Sequence, residues 1–170
     1  MKYINKKLTI ENVGVQNIAK KFGTPAYCYS YNQLKENINN FKKSFKSFSP
    51  LICFAIKSNT NVNLISEIGK LGLGADVVSI GELMKALKAG IKPNKIVFSG
   101  VGKTVEEIKY AVNKKILLIN AESKSEIFEI ERVAKKNKKN VNVGVRLNPN
   151  VDAKTLSQIS TGKKENKFGV

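Results

Sequence analysis

The chain has 170 residues, of which 42% are hydrophobic, and this is enough to bury one sizeable core. It has 30 Lys and Arg residues against 13 Asp and Glu residues, so its formal net charge is +17. The absence of histidine excludes histidine-based triads and most catalytic zinc sites within these residues. The two cysteines, Cys28 and Cys53, lie in apolar runs and indicate neither a disulfide framework nor a metal site.

The positive charge does not by itself identify a partner, because nucleic acid, an anionic membrane or a phosphorylated ligand would each fit it. The lysines are dispersed, only Arg132 and Arg146 are arginines, and no aromatic and basic stripe suggests base stacking. No apolar run approaches membrane-spanning length, and the first residues lack the apolar stretch of a signal peptide. We therefore expect a cytoplasmic protein that binds neither nucleic acid nor a membrane.

The region before residue 51 predicts two helices and one strand. A short helix is expected over 15–22, followed by a strand over 26–29. Ser30 and Gln33 have the spacing of a capping box at the start of a second helix. The apolar residues of that helix recur at the spacing of a single helical face: Leu34, Ile38, Phe41 and Phe45.

From residue 51 onward, strands and helices alternate. Strand-like runs begin about 20 to 25 residues apart, near Leu51, Ala75, Lys95, Ile116 and Val141. Helical patterns lie between them, and three begin with a capping-box spacing: Ser79–Glu82, Thr104–Glu107 and Ser123–Glu126. This alternation predicts stacked βαβ units and a parallel α/β sheet, which either a doubly wound sheet or a (β/α)8 barrel would satisfy.

Length bears on the choice between these two folds. A complete barrel takes about 250 residues, whereas only five strand–helix units are recognisable before the sequence stops at Val170. As a barrel, the chain would therefore end just past halfway. A sheet left open in this way would expose an edge and apolar surface, which predicts poor solubility.

Three charged residues fall late in the predicted strands. Lys57 follows the apolar run 51–56, where it is either a nucleophilic, Schiff-base-forming lysine or a solvated strand end. Asp76 lies within an apolar strand, where it is either a site residue or a surface residue. If it is buried, its carboxylate needs a partner, and Lys57 on the neighbouring strand is available. Arg146 suits a phosphate, a carboxylate or a phenolate oxygen, or an ion pair within the protein. Because the carboxyl ends of parallel strands form α/β active sites, their convergence favours an enzyme.

Two glycine-containing segments are similar to nucleotide-binding motifs but do not satisfy them. Residues 99–104 follow a strand and open a helix, but a P-loop requires a glycine where Val97 stands. Gly72 and Gly74 precede their strand, whereas the dinucleotide fingerprint follows one. Both segments are predicted to be structural turns.

Several ordered motifs, from Phe22 to the last residue, have the types and spacing of a known family. They occupy residues 22–27, 54–59, 74–79, 81–83, 97–103, 146–149, 159–162 and 167–169. On these residues the chain resembles the N-terminal part of the diaminopimelate decarboxylase family. That family belongs to the decarboxylases that depend on pyridoxal 5′-phosphate (PLP) and have an alanine-racemase-like barrel.

The resemblance implies a fold and a domain organisation. The fold would be a parallel (β/α)8 barrel of the TIM type, truncated after about five βα units. Residues 1–30 would be an N-terminal segment that packs with a missing C-terminal β-domain. Residues 31–170 would form the first part of the PLP-binding barrel.

The resemblance also implies the site and its chemistry. Lys57 would bind PLP covalently as a Schiff base, Asp76 and Arg146 would lie near that lysine and the cofactor ring, and no metal is expected. The positions of Ala55 and Glu82 match the lining of the family's pocket. The implied reaction is the decarboxylation of meso-diaminopimelate to L-lysine and CO₂. The alternatives are an ornithine or arginine decarboxylase of the same family, or a truncated, non-catalytic chain.

The sequence departs from the family pattern at one position and stops before other parts of the pattern. Leu156 stands near the place where relatives often have a histidine. The ring-stacking histidine, the glycine-rich phosphate loop and the residues for the substrate carboxylate would lie beyond Val170. The family completes its site with a second subunit, so a homodimer is expected at full length. By itself, the 170-residue chain is expected to be inactive and to bind PLP weakly.

Overall fold

A computed structural model describes residues 1–152, 154, 160–163 and 168–170. These residues form two compact units, 1–50 and 51–170. The sequence placed a boundary at residue 30 instead, and the packing of 1–30 on a further β-domain stays a prediction. Leu156, where the sequence departs from the family pattern, and Ile159 and Lys167, which belong to two of the family motifs, lie outside the described residues.

The first unit contains a small antiparallel sheet and two helices. Its strands are Lys2–Ile4 (β1), Lys7–Ile10 (β2) and Val13–Gly14 (β3). Its helices are Val15–Phe22 (α1) and Tyr31–Ser44 (α2). The strands pair in the order β1-β2-β3, with Tyr3 opposite Leu8.

Both predicted helices of this unit are confirmed. The Ser30 hydroxyl caps the second helix by accepting a hydrogen bond from the Gln33 backbone N–H at 3.1 Å. The Gln33 side chain does not complete the box, because its amide donates to Asn37 instead. The predicted strand over 26–29 is wrong. This segment pairs with no strand of the described chain, and Tyr27 is 92% exposed, so the run lacks both the ladder and the burial that stabilise a strand.

The second unit alternates strands and helices, as the periodicity predicts. Its five strands, β4 to β8, are Cys53–Ala55, Gly74–Val77, Ile96–Phe98, Leu118–Ala121 and Val143–Val145. Its four helices, α3 to α6, are Val62–Lys70, Ile80–Lys88, Val105–Lys114 and Lys124–Lys136.

The order of the strands decides between the two folds left open by the sequence. All five strands are parallel and lie in the order β4-β5-β6-β7-β8, so each strand pairs with the next one in the chain. A doubly wound sheet reverses its order at a switch point, whereas a barrel keeps it. The second unit therefore has the architecture of an incomplete (β/α)8 barrel.

The helices begin where the capping residues predict. Ser79, Thr104 and Ser123 each accept a hydrogen bond from the backbone N–H of the glutamate three positions later. Only Thr104 forms the complete, reciprocal box, with Glu107. Gly72 and Gly90 follow helices α3 and α4 with φ of 90° and 89°, a left-handed conformation that favours glycine.

The core lies between the strands and the helices that connect them. Apolar side chains from both kinds of element form a single buried cluster. Its fully buried members include Ile65, Leu83, Ile108 and Ile130 from the helices and Val77, Ile96, Phe98 and Ile119 from the strands. This packing fixes the strand ends, and with them the residues that follow each strand.

Candidate functional site

The carboxyl ends of the five parallel strands bring the predicted charged residues together. Lys57 lies in a short 3₁₀ turn, Ile56–Ser58, directly after β4. Asp76 is the third residue of β5, and Arg146 follows the last residue of β8. A cleft of about 690 Å³ opens at this edge. It is lined by Lys57, Asp76, Val78, Ser99, Gly100, Val101, Asn120, Glu122, Val145, Arg146 and Phe168.

The local structure around Lys57 presents its amine to solvent. Ile56 is fully buried and anchors the turn in the core. The turn is closed by the Ser58 hydroxyl, which donates to the Ala55 carbonyl at 2.7 Å, and by the Asn59 N–H, which donates to the Ile56 carbonyl at 2.9 Å. Lys57 itself is exposed, and its amine has no hydrogen bond or ion pair within the described part of the chain. The amine is therefore available to an electrophile in the cleft.

The partner of Asp76 differs from the one that the sequence suggested. Its carboxylate accepts a 2.7 Å hydrogen bond from the Ser99 hydroxyl, on the next strand. Asn120, one strand further on, donates to the same hydroxyl oxygen at 3.1 Å. Lys57 and Asp76 do not form an ion pair among the described residues. A chain of hydrogen bonds across three strands thus holds the carboxylate from the side opposite Lys57.

Arg146 is held on two sides. Its Nη1 donates to both carboxylate oxygens of Glu122, at 3.1 Å each. Its guanidinium carbon lies 4.8 Å from the centre of the Phe168 ring, which is cation–π geometry. The two contacts fix the side chain at the rim and leave its Nε and Nη2 donors without a hydrogen bond among the described residues.

Two of the predicted pocket residues do not line the cleft in the described structure. Ala55 lies in β4, opposite Asp76 in the register of the sheet. Glu82 lies in the first turn of α4, and its carboxylate accepts a hydrogen bond from the Val78 N–H at 2.9 Å. Glu82 thus fixes the backbone directly after β5, where Val78 lines the cleft. Their direct contact with a cofactor stays a prediction.

Sequence reasoning missed Ser99, Asn120, Glu122 and Phe168 as cleft residues. A signal was present for two of them, since Asn120 and Glu122 alternate with apolar residues around the end of β7. Alternate residues of a strand point to one face. Ser99 was not predicted to line a cleft, because the glycines near it favoured a structural turn.

The electrostatics of the site also affect Cys53, at the start of β4. Burial raises the pKa of its thiol, and the negative charge of Asp76 raises the pKa further. Because the thiolate is the nucleophilic form, Cys53 is expected to be a poor nucleophile at neutral pH.

The described residues contain no group of three or more histidine, cysteine, aspartate or glutamate side chains able to hold a metal ion. None of the helices in the described ranges combines the length and the apolarity that crossing a membrane requires.

Comparison with known families now adds to this geometry. The family described as pyridoxal-dependent decarboxylase, pyridoxal binding domain, matches residues 31–170. The chain belongs to this family. The match spans the whole parallel sheet and every residue that lines the cleft.

Within this family, the chain is more similar to diaminopimelate decarboxylases than to an ornithine decarboxylase. A diaminopimelate decarboxylase from Helicobacter pylori strain J99 is 48% identical over 155 residues, which are 91% of this chain and 38% of the relative. The crystal structure of diaminopimelate decarboxylase from Helicobacter pylori complexed with L-lysine matches with a TM-score of 0.87 and 47% identity, over 91% of this chain and 39% of that one. An ornithine decarboxylase from Entamoeba histolytica matches with a TM-score of 0.55 and 26% identity, over 66% of this chain and 33% of that one. The chain thus spans about two fifths of the length of the diaminopimelate decarboxylases that it matches.

Proposed function

We propose that this chain is the N-terminal, PLP-binding part of a diaminopimelate decarboxylase, which converts meso-diaminopimelate to L-lysine and CO₂. The observation that carries the proposal is the amine of Lys57, which has no partner among the described residues and lies at the rim of a cleft that also contains Asp76 and Arg146. An exposed lysine after a buried strand is common, but one that faces a carboxylate and a guanidinium across a cleft is suited to binding an aldehyde cofactor.

The cleft fits PLP in size and in chemistry. Its volume of about 690 Å³ lies within the range of about 300 to 1,000 Å³ typical of small-molecule sites. Lys57 supplies the amine that the aldehyde needs, and Arg146 supplies donors for an anionic oxygen. When bound, PLP supplies the electron sink that stabilises the negative charge left by the departing CO₂.

The residues of the chain have separate tasks in this proposal. Lys57 would hold the cofactor through its Nζ, which supplies the amine that an aldehyde group requires. Asp76, fixed by the Ser99 hydroxyl, places a negative charge beside that site. Arg146, fixed by Glu122, offers N–H donors at the far side of the cleft.

Diaminopimelate is proposed as the substrate in preference to ornithine or arginine. The support is the difference between 48% identity to a diaminopimelate decarboxylase and 26% to an ornithine decarboxylase. The L-lysine in the Helicobacter pylori complex is the product that the proposed reaction would release.

The proposal extends to the assembly and its compartment. We propose a homodimer at full length, with residues 1–30 packed on a further β-domain and with no nucleic acid among its partners. We place it in the cytoplasm, and the two free cysteines, Cys28 and Cys53, fit a reducing compartment.

The experiment that tests the proposal uses the complete gene product. Incubation with PLP followed by borohydride reduction should leave a stable pyridoxyl group on Lys57, located by peptide mass mapping. The variant Lys57→Ala should lose this label and the release of CO₂. The variant Lys85→Ala, at an exposed position of α4, should keep both.

Substrate choice is tested in the same assay. CO₂ release should be fastest from meso-diaminopimelate and slow from ornithine and arginine. Release from ornithine but not from diaminopimelate would contradict the substrate assignment, and a label on Lys85 in place of Lys57 would contradict the cofactor assignment.

A further inference from the structure

A buried lysine outside the proposed reaction lies beside the cleft. The side chain of Lys103 is only 1% exposed. Its amine donates to the carbonyl oxygens of Gly100 at 2.7 Å and Asn120 at 2.6 Å, and to the Glu126 carboxylate at 3.2 Å. A buried ammonium group is tolerated only when it is fully hydrogen-bonded and its charge is paired. Lys103 meets both conditions and thereby ties the loop after β6 to the end of β7.

Glu126 also holds the backbone of Glu122, the residue before the helix cap Ser123. Its side chain is 8% exposed, and its Oε2 accepts a 2.7 Å hydrogen bond from the Glu122 backbone N–H. The pair formed by Lys103 and Glu126 therefore fixes the backbone at the point where the Glu122 side chain leaves the strand.

Glu122 links this buried pair to the cleft. Its side chain is 3% exposed, whereas that of its partner Arg146 is 37% exposed. Its Oε1 accepts from the Gly100 N–H at 3.0 Å, and both its oxygens accept from Arg146 Nη1. The carboxylate is thus the buried member of the ion pair, held by several hydrogen bonds, and the arginine is the more exposed member.

We propose that Glu122 is a positioning residue that fixes the Arg146 guanidinium at the rim of the cleft, and that the buried pair of Lys103 and Glu126 holds Glu122 in place. The inference rests on the proposed function in that Arg146 faces the cofactor. Because Glu122 binds only Nη1, it compensates the charge of Arg146 and leaves the N–H groups of Nε and Nη2 in a fixed position from which they can bind a ligand. A free arginine at this exposure would sample many rotamers and would bind a ligand with a larger loss of entropy.

The chain offers a matched control for this inference. Glu129 and Arg132 form a second glutamate–arginine pair, on the exposed face of α6 and outside the cleft residues. The variants Glu122→Gln and Glu129→Gln therefore remove the same charge from the same kind of pair, in the site and away from it.

The first readout is chemical and does not depend on catalysis. Phenylglyoxal modification of the complete gene product, followed by peptide mass mapping, measures the rate at each arginine separately. Glu122→Gln should raise the rate at Arg146 about tenfold, the effect of losing one hydrogen bond between charged groups, and leave Arg132 unchanged. Glu129→Gln should raise the rate at Arg132 and leave Arg146 unchanged.

The second readout is the dissociation constant of PLP. Glu122→Gln should weaken PLP binding about tenfold, and Glu129→Gln should leave it unchanged. If Glu122→Gln fails to fold, Glu122→Asp replaces it. That variant keeps the buried negative charge, but its shorter side chain draws the carboxylate away from Arg146, so the Arg146 rate should rise by a smaller factor, about threefold.

The possible outcomes separate the inference from the proposed function. An unchanged Arg146 rate in the folded variant, or equal acceleration at both arginines, would overturn the inference, because the first shows no restraint and the second shows general loosening. An unchanged PLP dissociation constant alongside a faster Arg146 reaction would overturn the link to the cofactor. If the wild-type protein binds no PLP, the proposed function fails, while the arginine rates still decide whether Glu122 fixes Arg146.

Discussion

The Ser99 hydroxyl donates a 2.7 Å hydrogen bond to Oδ1 of Asp76, across the pairing of strands β5 and β6. The carboxylate that the sequence assigned to Lys57 is therefore bound from the opposite side of its strand. The bond is extended by Asn120, which donates to Ser99 at 3.1 Å. This arrangement fixes the position of Asp76 while leaving the Lys57 amine free to react.

Replacing Ser99 by alanine tests whether this bond fixes the Asp76 carboxylate. The variant removes one hydrogen bond to a charged group, an interaction worth about 1.5 kcal/mol, so PLP binding to the complete gene product should weaken about tenfold. Ser125→Ala, at an exposed position of α6, is the control and should leave binding unchanged. Equal PLP affinity in Ser99→Ala and the wild-type protein would show that Asp76 needs no such restraint.

The hydrogen bond from Asn120 to Ser99 requires a glycine at position 144, because the Asn120 side chain lies against it. A Cβ at this position would lie 2.3 Å from Oδ1 of Asn120, its partner in the register of β7 and β8. Gly144→Ala should therefore displace Asn120 from Ser99 and destabilise the fold by about 1 to 3 kcal/mol, the usual effect of overpacking. The measurement is the midpoint of denaturant unfolding.

Two further variants make the Gly144 experiment specific. Adding Asn120→Ala to Gly144→Ala removes the clashing oxygen and should recover part of the lost stability. Gly81→Ala, where the nearest atom to the new Cβ would be 3.8 Å away, should not destabilise the protein. A Gly144→Ala variant as stable as the wild-type protein would contradict the close packing of Asn120.

The alternation of elements could be predicted because each signal was local. Helix starts at Ser79, Thr104 and Ser123 depend on a side chain three positions from its partner, and the structure confirms all three. The strand expected over 26–29 was wrong because a strand also needs a neighbour, which local composition does not reveal.

The partners within the site could not be predicted, for a related reason. Asp76 has a strand on each side, and the sequence does not show which of the two strands places a hydrogen-bond donor level with its carboxylate. The register of β5 and β6 puts Ser99 within reach, and that register is a tertiary property. The sequence did locate Lys57, Asp76 and Arg146 at one edge, because position late in a parallel strand is readable from periodicity alone.

Cysteine reactivity tests the electrostatic effect of Asp76 on its surroundings. Burial raises the pKa of the Cys53 thiol, and the Asp76 charge raises the pKa further. At neutral pH, Cys53 should therefore react more slowly with iodoacetamide than the exposed Cys28. Asp76→Asn removes the nearby negative charge, which lowers the Cys53 pKa and should increase its alkylation rate. Mass spectrometry of the two cysteine peptides measures both rates, and acceleration at Cys28 as well would indicate unfolding instead.

Glu107 links the starts of two helices, and its contribution should depend on pH. Its Oε1 accepts from the Ile80 N–H at 3.0 Å, and its Oε2 accepts from the Thr104 N–H at 3.0 Å. Burial alone would raise the pKa of Glu107, but the backbone hydrogen bonds from Thr104 and Ile80 outweigh it, so the pKa lies below its ordinary value of 4.5. Because protonation is harder in the folded state, this stabilisation is complete above pH 4.5 and is lost as the pH falls through the lowered pKa.

Glu107→Gln should therefore destabilise the protein by about 0.5 to 1 kcal/mol at neutral pH, a figure that allows for the partial exposure of the group. The difference from wild type should shrink as the pH falls below 4.5. Denaturant unfolding across this range measures the difference. Glutamine keeps one oxygen for the two backbone donors, so amide exchange should accelerate at either Ile80 or Thr104 in the variant. Glu106→Gln is the control, because it removes a charge from the same turn of the helix and leaves both backbone N–H groups their acceptor, so amide exchange at Ile80 and Thr104 should not change. A Glu107→Gln effect that stays constant from neutral to acidic pH would mean that the carboxylate's charge has no part in joining the two helix starts.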